Sequence, residues 1–204
     1  MANKNAPFGA RVLMGGAGAA PNFELVPFTI SKNDSTKIFT GDFVKKLATG
    51  YGAQWTASTA VSQLWGIFQG CEYLSASQGK WVRSAYWPGA DAASDAVGYL
   101  IPLVLGQPMR LILQTDGTGV SFADIGANFD VAMGTGDTVT GQSGMYVDVS
   151  TLNTTATLPL RLEALYGQNL TDGGREGVGD GTEAGAYNWG IFVANIHQST
   201  GLAS

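Results

Sequence analysis

The chain has 204 residues, of which only 13% are charged, and a formal net charge of −5 from 11 Lys and Arg against 16 Asp and Glu. One cysteine and one histidine exclude an intramolecular disulfide and leave no Cys/His set for a structural zinc. The basic residues are scattered, Lys45-Lys46 being the one adjacent pair, and this opposes nucleic-acid binding.

The length suits one sizeable core, so a single domain with appendages is expected. A charged fraction of about half the usual quarter, together with 29 glycines, implies a neutral polar surface. Such a surface suits a protein that works packed against neighbours. The first residues lack the uninterrupted apolar core of a secretory signal, and no stretch approaches the ~18 apolar residues of a membrane span. Cytosol-like solvent and no membrane partner are therefore expected.

Residues 1–27 mix Gly, Ala, Pro and Asn without a usable period and include GGAGAAP at 15–21. They read as an extended N-terminal arm whose apolar beads, Phe8, Val12, Leu13, Met14, Phe23, Leu25 and Val26, lie along some surface. From Phe28 onward short strands alternate with turn chemistry. FTI and then KNDS make strand and turn. IFTGDFVKKLA reads as two strand pieces broken at Gly41-Asp42, with KKLA also fitting one helical turn. GYGAQW reads as loop.

The stretch from Leu64 to Pro88 organises the rest. Two aromatic-rich runs, LWGIFQGCEYL and KWVRSAYW, flank the polar turn SASQG, so the spacing predicts a β-hairpin. In its second run Trp81, Arg83 and Ala85 alternate with Val82, Ser84 and Tyr86. Large rings on both faces require cover on both, from the rest of a barrel or from a partner.

Next come a polar connection, PGADAASD; an apolar run, AVGYLIPLVL, interrupted by Pro102; and a strand ending in a turn, PMRLILQTDGTG. FADIGANFDVAM fits either a helical stripe or two short strands around Gly126. Residues 133–144 read as a Gly/Thr loop and SGMYVDVSTLN as a strand. LPLRLEALY carries the clearest period of two, with Leu158, Leu160, Leu162 and Ala164 on one face. Residues 171–186 hold six glycines and no large apolar side chain, which predicts a mobile surface loop. YNWGIFVANIH closes the chain with Trp189, Ile191, Val193 and Asn195 on one face. These elements together give an all-β fold, a single small barrel or sandwich of short antiparallel strands at 28–204 with an arm at 1–27.

Catalytic chemistry finds little support. His197, the lone histidine, falls in an edge strand near the end of the chain, where a solvated polar role is expected. Cys71 sits inside an apolar run and reads as a small buried hydrophobe. GGAGAAP lacks the preceding strand and third glycine of a nucleotide fold, and no Gly is followed by Lys-Ser or Lys-Thr. Nothing singles out a pair among the carboxylates. Asp172, Glu176, Asp180 and Glu183 fail the spaced pattern of a calcium loop. Asn33, Asn153 and Asn169 sit in tripeptides that are common by chance. No enzyme, cofactor or metal site is expected.

Several segments together carry a resemblance: ANKNAPFGAR at 2–11, IFTGDFV at 38–44, WGIFQGCEY at 65–73, AYWPGA at 85–90, DIGANFDV at 124–131, TGDTVTGQSGMYVD at 135–148, PLRLEAL at 159–165 and NWGIFVANIH at 188–197. In this order they are similar to the capsid decoration, or cement, proteins of tailed bacteriophages. The chain departs from them in its Gly-rich stretch at 171–186 and in GTGVSFADIG. The resemblance implies a β-barrel body, an arm laid on the shell, and clamping of neighbouring major capsid protein subunits on the outside of the virion. It also implies a homo-oligomer, a dimer or trimer, made in the host cytoplasm, and it implies no active site. Phe8, Val12, Leu13, Phe23, Leu25, Trp65, Trp81 and Trp87 are the expected capsid contacts. The alternative is a tail- or fibre-associated carbohydrate-binding module that stacks sugars on exposed Trp and Tyr. A hydrolase with scattered carboxylates is the third reading.

Overall fold

A computed structural model of the chain describes residues 3–14, 24–57, 64–103, 109–154, 158–167, 181–182 and 185–195. Fourteen strands are formed among these residues: β1 (Arg11–Met14), β2 (Val26–Ile30), β3 (Ile38–Phe39), β4 (Phe43–Lys46), β5 (Gly52–Gln54), β6 (Leu64–Leu74), β7 (Trp81–Ser84), β8 (Tyr86–Trp87), β9 (Ala96–Pro102), β10 (Arg110–Gln114), β11 (Asn128–Ala132), β12 (Tyr146–Asn153), β13 (Leu160–Leu165) and β14 (Trp189–Ala194). The fold is all-β and antiparallel throughout its named pairs, consistent with a sandwich. One sheet runs β1-β10-β14-β13-β11-β12; the other runs β2-β9-β6-β4-β5, with β7 paired to the end of β6; β3 and β8 form a two-stranded ribbon.

Two cores follow from this arrangement. Between the sheets, Phe43, Leu64, Ile67 and Ile101 meet Leu111, Leu113, Phe129, Val147, Leu162 and Phe192. A second core lies on the opposite side of the second sheet, where Phe28, Ile30, Val44, Phe68, Cys71 and Leu100 are capped by Ile38 and Trp87 of the β3-β8 ribbon. Strand β6 thus contributes to both cores, and its residues run apolar rather than alternating. The expected hairpin is formed, with Cys71 opposite Ser84 and Leu74 opposite Trp81. Its second run then leaves the sheet at Ala85, so that Tyr86 and Trp87 pair with β3 instead.

The N-terminal residues depart from the expected arm. Residues 3–14 are built into the domain. Ala6 donates its N–H to the Gln114 side chain, the Gln114 amide donates to the Lys4 carbonyl, Gly9 N–H donates to Met145 O, and Ala10 N–H donates to Gly41 O. Phe8 is buried edge-on against Trp189 at 4.9 Å, and Ala10 lies in the shared core. Gly9 is where this segment threads between two others. Its φ is +74°, and a Cβ there would stand 2.6 Å from Gly41 O and 2.7 Å from the Ser143 Cβ. Beyond this crossing, Asp116 N–H donates to Val147 O, so the end of β10 also touches β12 and the first sheet curls toward closure. Residues 15–23, with GGAGAA and Phe23, lie outside the described residues.

Other expectations are adjusted locally. GYGAQW contains β5, which pairs with β4, and KKLA begins as the end of β4 rather than as a helical turn. FADIGANFDVAM divides into a 3-10 turn at Phe122–Asp124 and strand β11. A bulge between Leu162 and Ala164 breaks the period of β13, so that Leu165 is buried where Ala164 was expected. In β14 it is Phe192 that enters the shared core, while Trp189 and Ile191 are half-buried. Most of 171–186 lies outside the described residues, but its far end is anchored: Trp189 N–H donates to Gly181 O, and Gly181 N–H donates to the Asn3 side chain.

Candidate interaction surface

Strand register brings one set of exposed side chains together on the second sheet, on the same side as Ile101 and Leu103 but beyond the part that the first sheet covers. Residues opposite one another in an antiparallel pair project to the same side. Leu74 faces Trp81, Glu72 faces Arg83 on one flank and Val97 on the other, and Val97 faces Thr29. One step along the sheet, Tyr99 stands opposite Gly70 and Pro27. The inward residues of the same strands, Phe28, Cys71, Tyr73 and Leu100, belong to the second core. The outward ones form a continuous face across β7, β6, β9 and β2.

Its composition is largely apolar and aromatic. Trp81 is 65% exposed, Leu25 43% and Val97 38%, while Leu74 and Tyr99 are half-buried. The Arg83 guanidinium lies 5.9 Å from the centroid of the Tyr99 ring and 3.8 Å from the Glu72 carboxylate, a long contact between exposed groups that leaves both available to a partner. Aromatic rings and an arginine on a largely uncharged sheet match the residue types that dominate interface energetics.

The residues expected to contact a capsid are divided by the fold. Trp81 and Leu25 are on this face. Trp87 is fully buried, donating its indole N–H to Asp34 O at 3.0 Å, with Tyr73 edge-on at 5.7 Å. Phe8 is also buried, edge-on against Trp189, with only 7% of its surface left exposed. Trp65 is half-buried against the second core, its ring 5.5 Å from Phe28 and capped by Lys46 Nζ at 5.4 Å. Val12 and Leu13 are half-buried in β1. Phe23 lies outside the described residues.

Sequence reasoning missed Leu74, Val97, Tyr99 and Pro27. Each comes from a strand read alone, and only the pairing places them beside Trp81. The alternation of Trp81 and Arg83 with Val82 was the one signal available, and it holds: Val82 packs on the second core while the other two face out.

Among the described residues, no group of three or more His, Cys, Asp or Glu is placed to hold a metal ion. Cys71 points inward and is 1% exposed; burial, with a smaller contribution from the Glu72 charge, pushes its thiol up to about 12, far from a nucleophile's range. His197 and the carboxylates at 172, 176, 180 and 183 lie outside the described residues. No helix among the described residues is long and apolar enough to cross a membrane. Compared with family models, characterised proteins and solved structures, the chain matches none.

Proposed function

We propose that this chain is a capsid decoration protein that binds the outside of an assembled phage head and clamps neighbouring major capsid protein subunits through the exposed aromatic face of its second sheet. The observation that carries the reading is Trp81, exposed on a rigid strand among Leu74, Val97, Tyr99 and Leu25. The low charge of the chain and the ordered series of motifs from residue 2 to 197 support it. A cement protein acts by linkage: it binds the assembled lattice and not its loose subunits, so the lattice gains the binding free energy of every copy attached.

A buried tryptophan at the centre of such a contact is worth about 2 kcal/mol or more on truncation, roughly a thirtyfold loss of affinity. Trp81→Ala is therefore expected to lose about that much in co-sedimentation with purified capsids. Its thermal midpoint should stay near that of the parent, because the ring is exposed. Wild-type chain that stays in the supernatant, or a Trp81→Ala chain that pellets as well as wild type, would count against the proposal.

The same exposed ring supports a second reading, a carbohydrate-binding module with Trp81 and Tyr99 as its stacking platform. Binding to a glycan array that is lost in Trp81→Ala, with no capsid binding, would select it.

A further inference from the structure

The open flank of β1 is a second feature, beside the aromatic face, with which its cleft shares a border at Gln69 and Ala85. Strand β1 pairs with β10 on one side only. On the other side Ala10 donates its N–H to Gly41 O, which shows which way the outer backbone groups at that position point. Two residues on, Val12 presents its N–H and C=O to the same side, where no strand among the described residues pairs with it. A cleft of about 400 Å³ occupies that side. Phe8, Ala10, Val12, Ile101 and Ala85 make its apolar lining, and Gln69 and Gln142 offer amides at its walls.

Charge distinguishes the kind of segment that fits. Arg11 is exposed at the cleft, its guanidinium 4.9 Å from the centroid of the Phe8 ring, and no carboxylate among the described residues pairs with it. Gln69 and Ala85 also line an adjoining recess that contains Arg83. Two of the 11 basic residues of a chain with net charge −5 thus border one groove.

We infer that this cleft binds an extended segment of a partner protein, which adds to β1 through the backbone of Val12, seats apolar side chains against Phe8 and Ile101, and places an acidic side chain on Arg11. Strand addition of this kind draws its affinity from backbone hydrogen bonds and its selectivity from pockets for alternate side chains. The exposed edge of a sheet is the part of a β-protein that accepts it. The inference rests on the edge of β1 and on Arg11, whereas the capsid reading rests on Trp81; the two sites adjoin at Arg83.

Selection of random octapeptides on the immobilised full chain tests it. The recovered sequences are expected to alternate apolar residues around one Asp or Glu, and to shift the Val12 amide resonance on binding. They should bind about tenfold more weakly to Arg11→Glu, an exposed substitution that leaves the fold intact. Gln142→Trp, which fills the rim of the cleft, should abolish binding, whereas Trp81→Ala should not alter it. Recovery of no sequence above background would overturn the inference, as would binding that survives both Arg11→Glu and Gln142→Trp.

Discussion

Asp42 shows how single residues tie the two sheets together. It sits in the turn between β3 and β4 at 1% exposure, and its carboxylate accepts hydrogen bonds from the Phe39 N–H at 2.8 Å, the Gln54 amide at 2.8 Å and the Ser143 hydroxyl. Ser143 comes from the approach to β12, so this carboxylate joins the first sheet to the second. Burial raises its pKa, and the three donors partly offset that rise. Asp42→Ala leaves three donors without an acceptor and should cost about 3 kcal/mol, read by urea unfolding. A loss below about 1 kcal/mol would mean that water replaces the carboxylate.

Three surface aspartates, Asp91 half-buried and Asp95 and Asp137 exposed, act in the opposite sense on pH. Asp91 accepts from the Ser75 hydroxyl and Ser77 N–H, Asp95 from Lys32 N–H and the Tyr51 hydroxyl, and Asp137 from Val139 N–H and the Thr140 hydroxyl; each is held below the usual 3.8 by those donors. A lowered native pKa gives stability that is fully present above 3.8 and disappears as pH falls through the native values. For Asp42, whose native pKa is raised, protonation is easier in the folded chain, and its contribution falls as pH rises past 3.8. Calorimetry from pH 5 to pH 3 should therefore show wild type losing thermal stability. A triple Asp91→Asn, Asp95→Asn, Asp137→Asn chain should begin lower and lose less, and equal acid slopes for the two chains would exclude these residues as the cause.

Among the elements, the N-terminal segment departs furthest from its expected role. Residues 3–10 bond to β10, to the start of β12 and to the β3-β4 turn, and β1 adds a strand to the first sheet. Removing residues 1–14 would expose the Trp189 ring and open the shared core at Ala10. The truncated chain is expected to lose cooperative unfolding rather than persist as a bare barrel, and Gly9→Ala alone should cost about 2 kcal/mol or more because it combines a left-handed φ with overpacking. A truncation that unfolds at the wild-type temperature would return the segment to the role of a detachable arm. In contrast, exchanging residues 171–180 for a short turn should leave stability nearly unchanged, provided Gly181, which meets Trp189 and Asn3, is retained.

The same contrast explains what could be read in advance. The hairpin of β6 and β7 was legible because its partners are adjacent in the chain and its turn residues stand between two aromatic runs. Phe8 and Ala10 find their partners more than a hundred residues away or across another sheet, as Gln114 and Met145 do, so no local period marks them. Strand β5 is three residues, Gly52–Gln54, too short to show alternation. The aromatic face was half visible in Trp81 and Arg83; the rest required the register of four strands.

At the scale of the whole molecule, the described residues bury two cores and leave Trp81, Val97 and Leu25 exposed on one face. Trp87 and Phe8 hold the interior together, while Trp81, Val97 and Leu25 are spent on no internal contact of comparable burial. That division separates the buried Trp87 from the exposed Trp81, the ring to which the proposal gives the contact. Hydroxyl-radical footprinting of the chain, free and bound to purified capsids, tests it directly. If the exposed aromatic face around Trp81 is the contact, Trp81 and Tyr99 lose reactivity on the shell while Trp65 and Phe122, elsewhere on the surface, keep theirs. Full reactivity of Trp81 on capsids that carry the chain would contradict the assignment of this face.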